Sequence, residues 1–345
     1  MRILVTGATG YLGRAIVRAV IDGGHQVIAL VRDPAAAATA LGELAVEPRK
    51  GDVRDEASVR AALDDIDVLV HAAATYSYAR RDGPRMIEQN PAIAEAVLGA
   101  AAAVGTSHVI DVSSAGVFKA HTDGPKAGLT DDESPLWGPS DREWNDPYLC
   151  SKVLAEQAAR AWRDRGLPIS SIHPTLTIGP DDRVPGVSGA ILVSLLADPC
   201  ISIAGNANWV DVRDVAAGVA GIVGRSPGAR ALFAARELDF RGMAALLDRS
   251  TGRRPRRFWL SAGITRAGAM LNDVVGGALM RALPSRDTLE FALGVGHVDG
   301  ATGEATIGRA YRPLEETVAE SLTWWAERGT IPRSWAGTLV EAATR

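Results

Sequence analysis

Tyr148-Leu149-Cys150-Ser151-Lys152 sets a phenol and an ammonium four residues apart, and positions so spaced share one face of a helix. A cation beside a phenol favours the phenolate, so Lys152 is expected to draw the Tyr148 pKa towards working pH and make it a usable proton donor or acceptor. Ser113-Ser114 closes an apolar, strand-like run that begins at His108. A hydroxyl at such a strand end, that of Ser114, can hydrogen-bond an oxygen on which negative charge develops. Taken alone, Y-x-x-x-K is common by chance and reads as a surface pair. Its place after a serine-ended strand and a glycine turn makes Ser114, Tyr148 and Lys152 a candidate catalytic group.

The glycine turn is Val5-Thr6-Gly7-Ala8-Thr9-Gly10-Tyr11-Leu12-Gly13, which follows a strand directly and opens a helix. A helix N-terminus offers unpaired N–H groups and the positive end of the dipole, which suits a diphosphate. Glycines let the turn form and let backbone and phosphate approach closely. A glycine-rich turn in an unrelated α/β protein is the plain alternative, and the flanking strand and helix weigh against it. Gly7, Thr9, Gly10, Tyr11, Leu12 and Gly13 are therefore candidate dinucleotide ligands. About twenty residues further on, the second strand ends Val31-Arg32-Asp33-Pro34. An NAD enzyme places a carboxylate there for the ribose hydroxyl, whereas the Arg32 guanidinium suits a 2'-phosphate. NADP(H) is thus expected, with NAD(H) less favoured; Asp33 remains a candidate for a ribose hydroxyl, and Arg14 reads as helix surface. Gly51-Asp52-Val53, after the third strand region, would flank the adenine, and Ala72-Ala73 after the fourth strand would leave room for the coenzyme.

Such residues need a scaffold that brings strand ends to one edge. Strand-like runs at 3–6, 26–31, 68–71, 108–113 and 169–173 alternate with helical patterns at 11–22, 58–63 and 92–104, which predicts an α/β, doubly wound parallel sheet, the Rossmann fold. Residues 1–175 are expected to form the NADP-binding domain. Residues 118–146 are dense in Gly, Pro, Asp and Lys and predict a loop over the site. Residues 176–345 are expected to form a smaller substrate-binding region, with 205–225 returning to the Rossmann core and an amphipathic helix near 313–328.

Composition sets bounds on the rest. With 47% hydrophobic and 23% charged residues, the chain can bury a sizeable core. A formal net charge of -4 gives no overall case for nucleic acid or an anionic membrane. The run Arg253-Arg254-Pro255-Arg256-Arg257 reads as a solvated loop. The two cysteines, Cys150 and Cys200, lack metal or redox spacing, and no histidine stands at ligand spacing, so no metal is expected. The stretch 262–283 is interrupted by Arg266, Asp273 and Arg281, and a cytoplasmic protein without a membrane span or cleaved signal is expected.

The glycine turn, Ser114 and the Tyr148/Lys152 pair together resemble the extended short-chain dehydrogenase/reductases, the NAD-dependent epimerase/dehydratase superfamily. Val31-Arg32-Asp33-Pro34 and His173-Pro174-Thr175-Leu176-Thr177-Ile178-Gly179-Pro180 resemble the dihydroflavonol reductase and cinnamoyl-CoA reductase group within it. The resemblance covers about residues 1–220. It implies a catalytic Ser114/Tyr148/Lys152 set, a nicotinamide bordered by Pro174 and Leu176, a ribose contact from Lys152, and Asn90 as a cofactor-side or proton-relay residue. His173 stands where nucleotide-sugar enzymes of the superfamily carry Arg, which disfavours a sugar-diphosphate substrate. The reading is an NADPH-dependent reductase of a small apolar or aromatic carbonyl compound. Nucleotide-sugar epimerase or dehydratase, 3β-hydroxysteroid dehydrogenase and a non-catalytic NADP-sensing protein stay open, as does a homodimer.

Overall fold

The computed structural model describes residues 1–76, 82–203, 205–261, 263–264 and 296–343; the stretch 262–283 therefore lies almost wholly outside the described residues. Strands and helices alternate from the start: β1 (Arg2–Thr6), α1 (Tyr11–Asp22), β2 (Gln26–Val31), α2 (Pro34–Leu41), β3 (Val46–Lys50), α3 (Glu56–Ala62), β4 (Val68–His71), α4 (Gly83–Val104) and β5 (Val109–Val112). After the short β6 (Leu129–Thr130) come α5 (Pro147–Asp164), β7 (Ile169–Pro174), β8 (Leu176–Ile178), α6 (Val187–Leu196), β9 (Cys200–Ile203), β10 (Asn208–Asp211) and α7 (Val212–Ile222). The rest runs β11 (Arg230–Phe233), β12 (Arg236–Glu237), α8 (Phe240–Thr251), β13 (Arg257–Leu260), β14 (His297–Val298), α9 (Ala301–Ile307) and α10 (Leu314–Glu327).

Seven strands form one parallel sheet in the order β11-β7-β5-β4-β1-β2-β3. The order reverses beside β1, and such a switch point opens a crevice at the carboxyl ends of the strands. Both faces are covered: Ile3 and Val5 of β1 pack with Ile16, Val17, Val215 and Val219, while Leu4 packs with Val59, Val97, Leu98 and Ala159. Burial on both faces is why these strands read as continuous apolar runs. Only β3, at the sheet's margin, is largely exposed and tolerates Pro48 and charges.

Two expectations shift. Helix α4 begins at Gly83, well before residue 92, because Pro91 is accommodated inside it and Pro84 opens it. The return to the Rossmann core expected for 205–225 reaches further: α7 packs on α1 within that segment through the core that includes Val215 and Val219, and β11 beyond it completes the sheet.

A second core joins Trp209 of β10 to Leu192, Leu195, Phe240, Met243, Leu247, Leu322 and Trp325. The basic run near its edge is absorbed structurally: Arg257 makes paired bonds of 2.9 and 2.8 Å to Asp248, and Arg256 pairs with Asp198. Trp325 is buried and donates from Nε1 to the Asp182 carbonyl at 2.8 Å, tying α10 to the turn after β8. Trp325→Ala removes both contributions, and chemical denaturation is expected to show a loss of about 3–5 kcal/mol.

Candidate active site

The glycine turn is built by backbone contact. Gly7 has a φ of +73°, and a Cβ there would lie 2.7 Å from the Ala72 carbonyl oxygen. A Cβ on Gly13 would lie 1.9 Å from the carbonyl oxygen of Gly7. Both positions therefore require glycine for separate reasons. Gly10 donates its N–H to Gly7 O at 3.0 Å and opens α1 with no side-chain cap and no acidic residue in the first turn. Helix geometry leaves the N–H groups of Tyr11 and Leu12 without partners inside α1. The donor set fits a diphosphate, and the missing capping side chain leaves it accessible.

Arg14 departs from the expected surface role. It is 7% exposed and donates to Asp181 Oδ2 at 2.8 Å, to the Asp181 carbonyl at 2.5 Å and to the Thr9 carbonyl at 2.8 Å. The guanidinium thus braces the glycine turn against the segment after β8. Leu12 packs against the sheet core. The Tyr11 hydroxyl is buried without a hydrogen-bond partner among the described residues, and burial followed by the Asp182 and Asp211 carboxylates pushes its pKa well above the ordinary value.

At the β2 end Arg32 is exposed and lies near enough to Asp52 to help hold that carboxyl down. The Asp52 carboxyl sits at about 2, chiefly through its bonds with Arg54. Asp33 caps α2, accepting from Ala35 N at 2.9 Å and Ala36 N at 3.2 Å. Val53 packs towards the core of the other sheet face. Ala72 and Ala73 follow β4 against the glycine turn, with Ala73 N donating to Thr6 Oγ1 at 3.3 Å.

Asp146 caps α5 by accepting from Leu149 N at 2.9 Å, and Pro147 occupies its start. Tyr148 therefore falls in the first turn and Lys152 one turn later. Ser114 lies two residues past β5, with its Oγ accepting from Gly116 N at 3.2 Å, and it is close enough to Tyr148 to oppose the rise of that pKa. Lys152 is buried and donates to the Val112 carbonyl at 3.4 Å. The three predicted catalytic side chains are thus gathered at the end of β5. Pro174 ends β7, and Leu176 opens β8 opposite Trp209.

Asn90 is engaged on every side. Its Oδ1 accepts from Thr75 N at 2.7 Å, and its Nδ2 donates to Thr75 O at 3.0 Å and to Ser151 Oγ at 2.9 Å. It ties the segment after β4 to α5, and Tyr76 of that segment lies edge-on to Tyr148 at 4.7 Å between ring centres.

The electrostatics correct the expected effect of Lys152 on Tyr148. Burial pushes the Tyr148 hydroxyl up to about 12, with the Ser114 bond opposing and the Asp146 charge reinforcing the shift. Desolvation dominates and the Lys152 charge is not among the causes of the shift, so the phenol is protonated at neutral pH.

Beneath these residues lies a layer that sequence reasoning missed. Glu156 Oε2 meets His173 Nε2 at 3.0 Å with both side chains fully buried. Burial alone would raise the Glu156 carboxyl; His173, Ser113 and Arg160 outweigh it and hold the group at about 2. Arg163 donates to Ser171 Oγ at 2.6 Å. The available signals were Glu156, four residues beyond Lys152, and Asp111, a carboxylate inside an apolar strand.

With this geometry in view, comparison with known proteins is decisive at the level of family. A sequence model of the NAD dependent epimerase/dehydratase family matches residues 3–228. The chain belongs to this family. It is thereby an extended short-chain dehydrogenase/reductase, an enzyme class that works with nicotinamide dinucleotides. Sterol demethylase protein B of Methylococcus capsulatus is 31% identical over 63% of this chain and 64% of its own length. A putative dihydroflavonol 4-reductase of Synechocystis is 26% identical over 95% of both chains. Cinnamoyl-CoA reductase 1 of Arabidopsis thaliana is 30% identical over 62% of this chain and 64% of its own. Thus the chain spans a little under two thirds of the length of two of these relatives. Among solved structures, that of gox2253 superposes with a TM-score of 0.80 at 25% identity, covering 95% of this chain and 99% of the other. A dTDP-glucose 4,6-dehydratase of Streptomyces venezuelae, solved with NAD and TYD bound, shares the fold with a TM-score of 0.74 at 22% identity, covering 97% and 100%.

Gly13→Ala drives a methyl group into the carbonyl of Gly7. Fluorescence titration is expected to show nicotinamide coenzyme affinity weakened by about tenfold or more, the equivalent of about 1.4 kcal/mol.

Proposed function

We propose that the protein is an NADPH-dependent reductase that converts a carbonyl of a small apolar or aromatic compound to a secondary alcohol. The observation that carries this reading is the gathering of Ser114, Tyr148 and Lys152 at the end of β5, on the same sheet edge as the glycine turn. Bound NADPH would supply the hydride for the carbonyl carbon. Gly7, Thr9, Gly10, Tyr11, Leu12 and Gly13 would hold its diphosphate, with Ala72, Ala73, Asp52 and Val53 along the adenosine half. Pro174 and Leu176 would border the nicotinamide, with Asn90 fixing the segment beside it.

The chain's own residues handle the proton. Tyr148, protonated at neutral pH, donates its proton to the carbonyl oxygen as charge grows there, while Ser114 holds that oxygen in place. Lys152 would hold the nicotinamide ribose and would supply positive charge beside the phenolate left behind. Tyr148 is thus in the acid form that a reduction requires. Arg32 supports NADP over NAD: its exposed guanidinium is suited to a 2'-phosphate, whereas Asp33 is committed to capping α2.

Incubation with NADPH and a panel of aromatic aldehydes and ketones is expected to consume one coenzyme per alcohol formed. Product formation without net coenzyme consumption would favour an epimerase or dehydratase. Tyr148→Phe should keep coenzyme binding and lower turnover by about a hundredfold to ten-thousandfold; unchanged turnover would remove Tyr148 from the chemistry. Arg32→Ala should weaken NADPH binding by about 1.5–3 kcal/mol, roughly ten- to a hundredfold, while NADH binding changes little. Equal effects on both coenzymes would overturn the 2'-phosphate assignment.

A further inference from the structure

A row of polar side chains crosses four strands of the sheet near their carboxyl ends. Thr6, His71, Asp111 and Ser171 stand in register on β1, β4, β5 and β7. Parallel strands in register present such residues to one face. Leu69, Val109 and Ile169, two residues earlier on their strands, pack on that face with Ala159 of α5. The facing stripe of α5 is polar on either side of Ala159: Lys152, Glu156 and Arg163, spaced four and seven apart, so that all lie on one side of the helix.

Contacts on either side of Asp111 order this layer. Lys152 Nζ reaches the carbonyl of the next residue, Val112, at 3.4 Å. Glu156 is held by His173 at 3.0 Å, and Arg163 by Ser171 at 2.6 Å. His71 Nδ1 shares a proton with Thr6 Oγ1 at 2.8 Å, and burial followed by the Lys152 charge pushes its pKa down to about 3, so it is neutral at working pH. The groups that face Asp111 are therefore Lys152, Glu156 and Arg163 from α5, His173 from β7 and His71 from β4.

We propose that Asp111 is a positioning residue for the reductase site, a buried counter-charge in the same layer as the Lys152 ammonium at the end of β5. The inference rests on the reductase reading for its purpose, though not for its geometry. Asp111 is 8% exposed and Lys152 9%. Burial pulls the Lys152 pKa down, and the Asp111 carboxylate, followed by that of Glu156, opposes it. Glu156 is already committed to His173 and Ser113, which leaves Asp111 as the less committed counter-charge. Burial in turn raises the Asp111 carboxyl to about 6, with Lys152 foremost among the cations that oppose the rise. Charge on Asp111, and with it the hold on Lys152, is thus lost as pH falls through about 6.

The chain has only four lysines, Lys50, Lys119, Lys126 and Lys152, so NMR of protein carrying isotope-labelled lysine Cε can follow each one. In the unaltered protein the Lys152 signal is expected to show a secondary inflection near pH 6, when Asp111 takes up its proton; a flat signal there overturns the proposal without any variant. In Asp111→Asn that inflection disappears and the Lys152 midpoint falls by about one pH unit or more, while Asp111→Glu restores both in part. With the aromatic aldehyde that the unaltered enzyme reduces fastest, Asp111→Asn should lower turnover by about tenfold and leave KM nearly unchanged. Lost turnover with an unmoved Lys152 midpoint would reduce Asp111 to a structural role and overturn the proposal. The spectra need no substrate, so failure of the reductase reading appears in the assay and failure of this inference in the titration.

Discussion

Close approach of backbone to backbone at Gly7 is the constraint on which the rest of the molecule depends. A side chain there would enter the Ala72 carbonyl, and one at Gly13 would enter Gly7 itself. This contact lets α1 start immediately at the edge of β1, with its free N–H groups aimed across the crevice where the strand order reverses. Arg14 then clamps the turn to Asp181, so the second core, anchored by Trp325 on Asp182, reaches the dinucleotide edge through one short segment. The position of the glycine turn thus couples the sheet to the part of the chain that follows it.

On the other side of the sheet the cost is electrostatic. Buried Lys152, Glu156 and Asp111 and half-buried Arg163 each lose hydration, and such a set is stabilised by opposite charges and hydrogen bonds around its members. Glu156 is bonded to His173, Arg163 to Ser171 and Lys152 to the Val112 carbonyl. The geometry of this layer also fixes the rotation of α5 about its axis, because Lys152, Glu156 and Arg163 must all face the strands. That rotation places Tyr148 above Ser114. A structural layer and a candidate catalytic group are consequently one arrangement, viewed at different depths.

Much of this was legible from residue types and spacing. The strands at 26–31 and 68–71 and the helix at 11–22 coincide with their observed limits, since buried strands and an amphipathic helix leave strong periodic signals. Ser114, Tyr148 and Lys152 could be named because their order follows the sheet. Other features depend on tertiary context. Pro91 hides the first half of α4, since a local rule reads proline as a breaker. Arg14 looks like helix surface until Asp181 is brought to it from across the fold. The Tyr148 pKa could not be read from the neighbouring lysine alone, because burial by Tyr76 and the surrounding loops dominates it. Asp111 and Glu156 carry meaning only once α5 lies on the strands.

The central claim is spatial: one nicotinamide coenzyme spans the glycine turn and the Tyr148 phenol. A crystal structure of the protein with NADP+ tests it most directly. The account predicts the diphosphate on the N–H groups of Tyr11 and Leu12, the 2'-phosphate against Arg32, and the nicotinamide ring beside Tyr148 and Lys152. A coenzyme seated away from the glycine turn, or one whose nicotinamide points away from Tyr148, would contradict it.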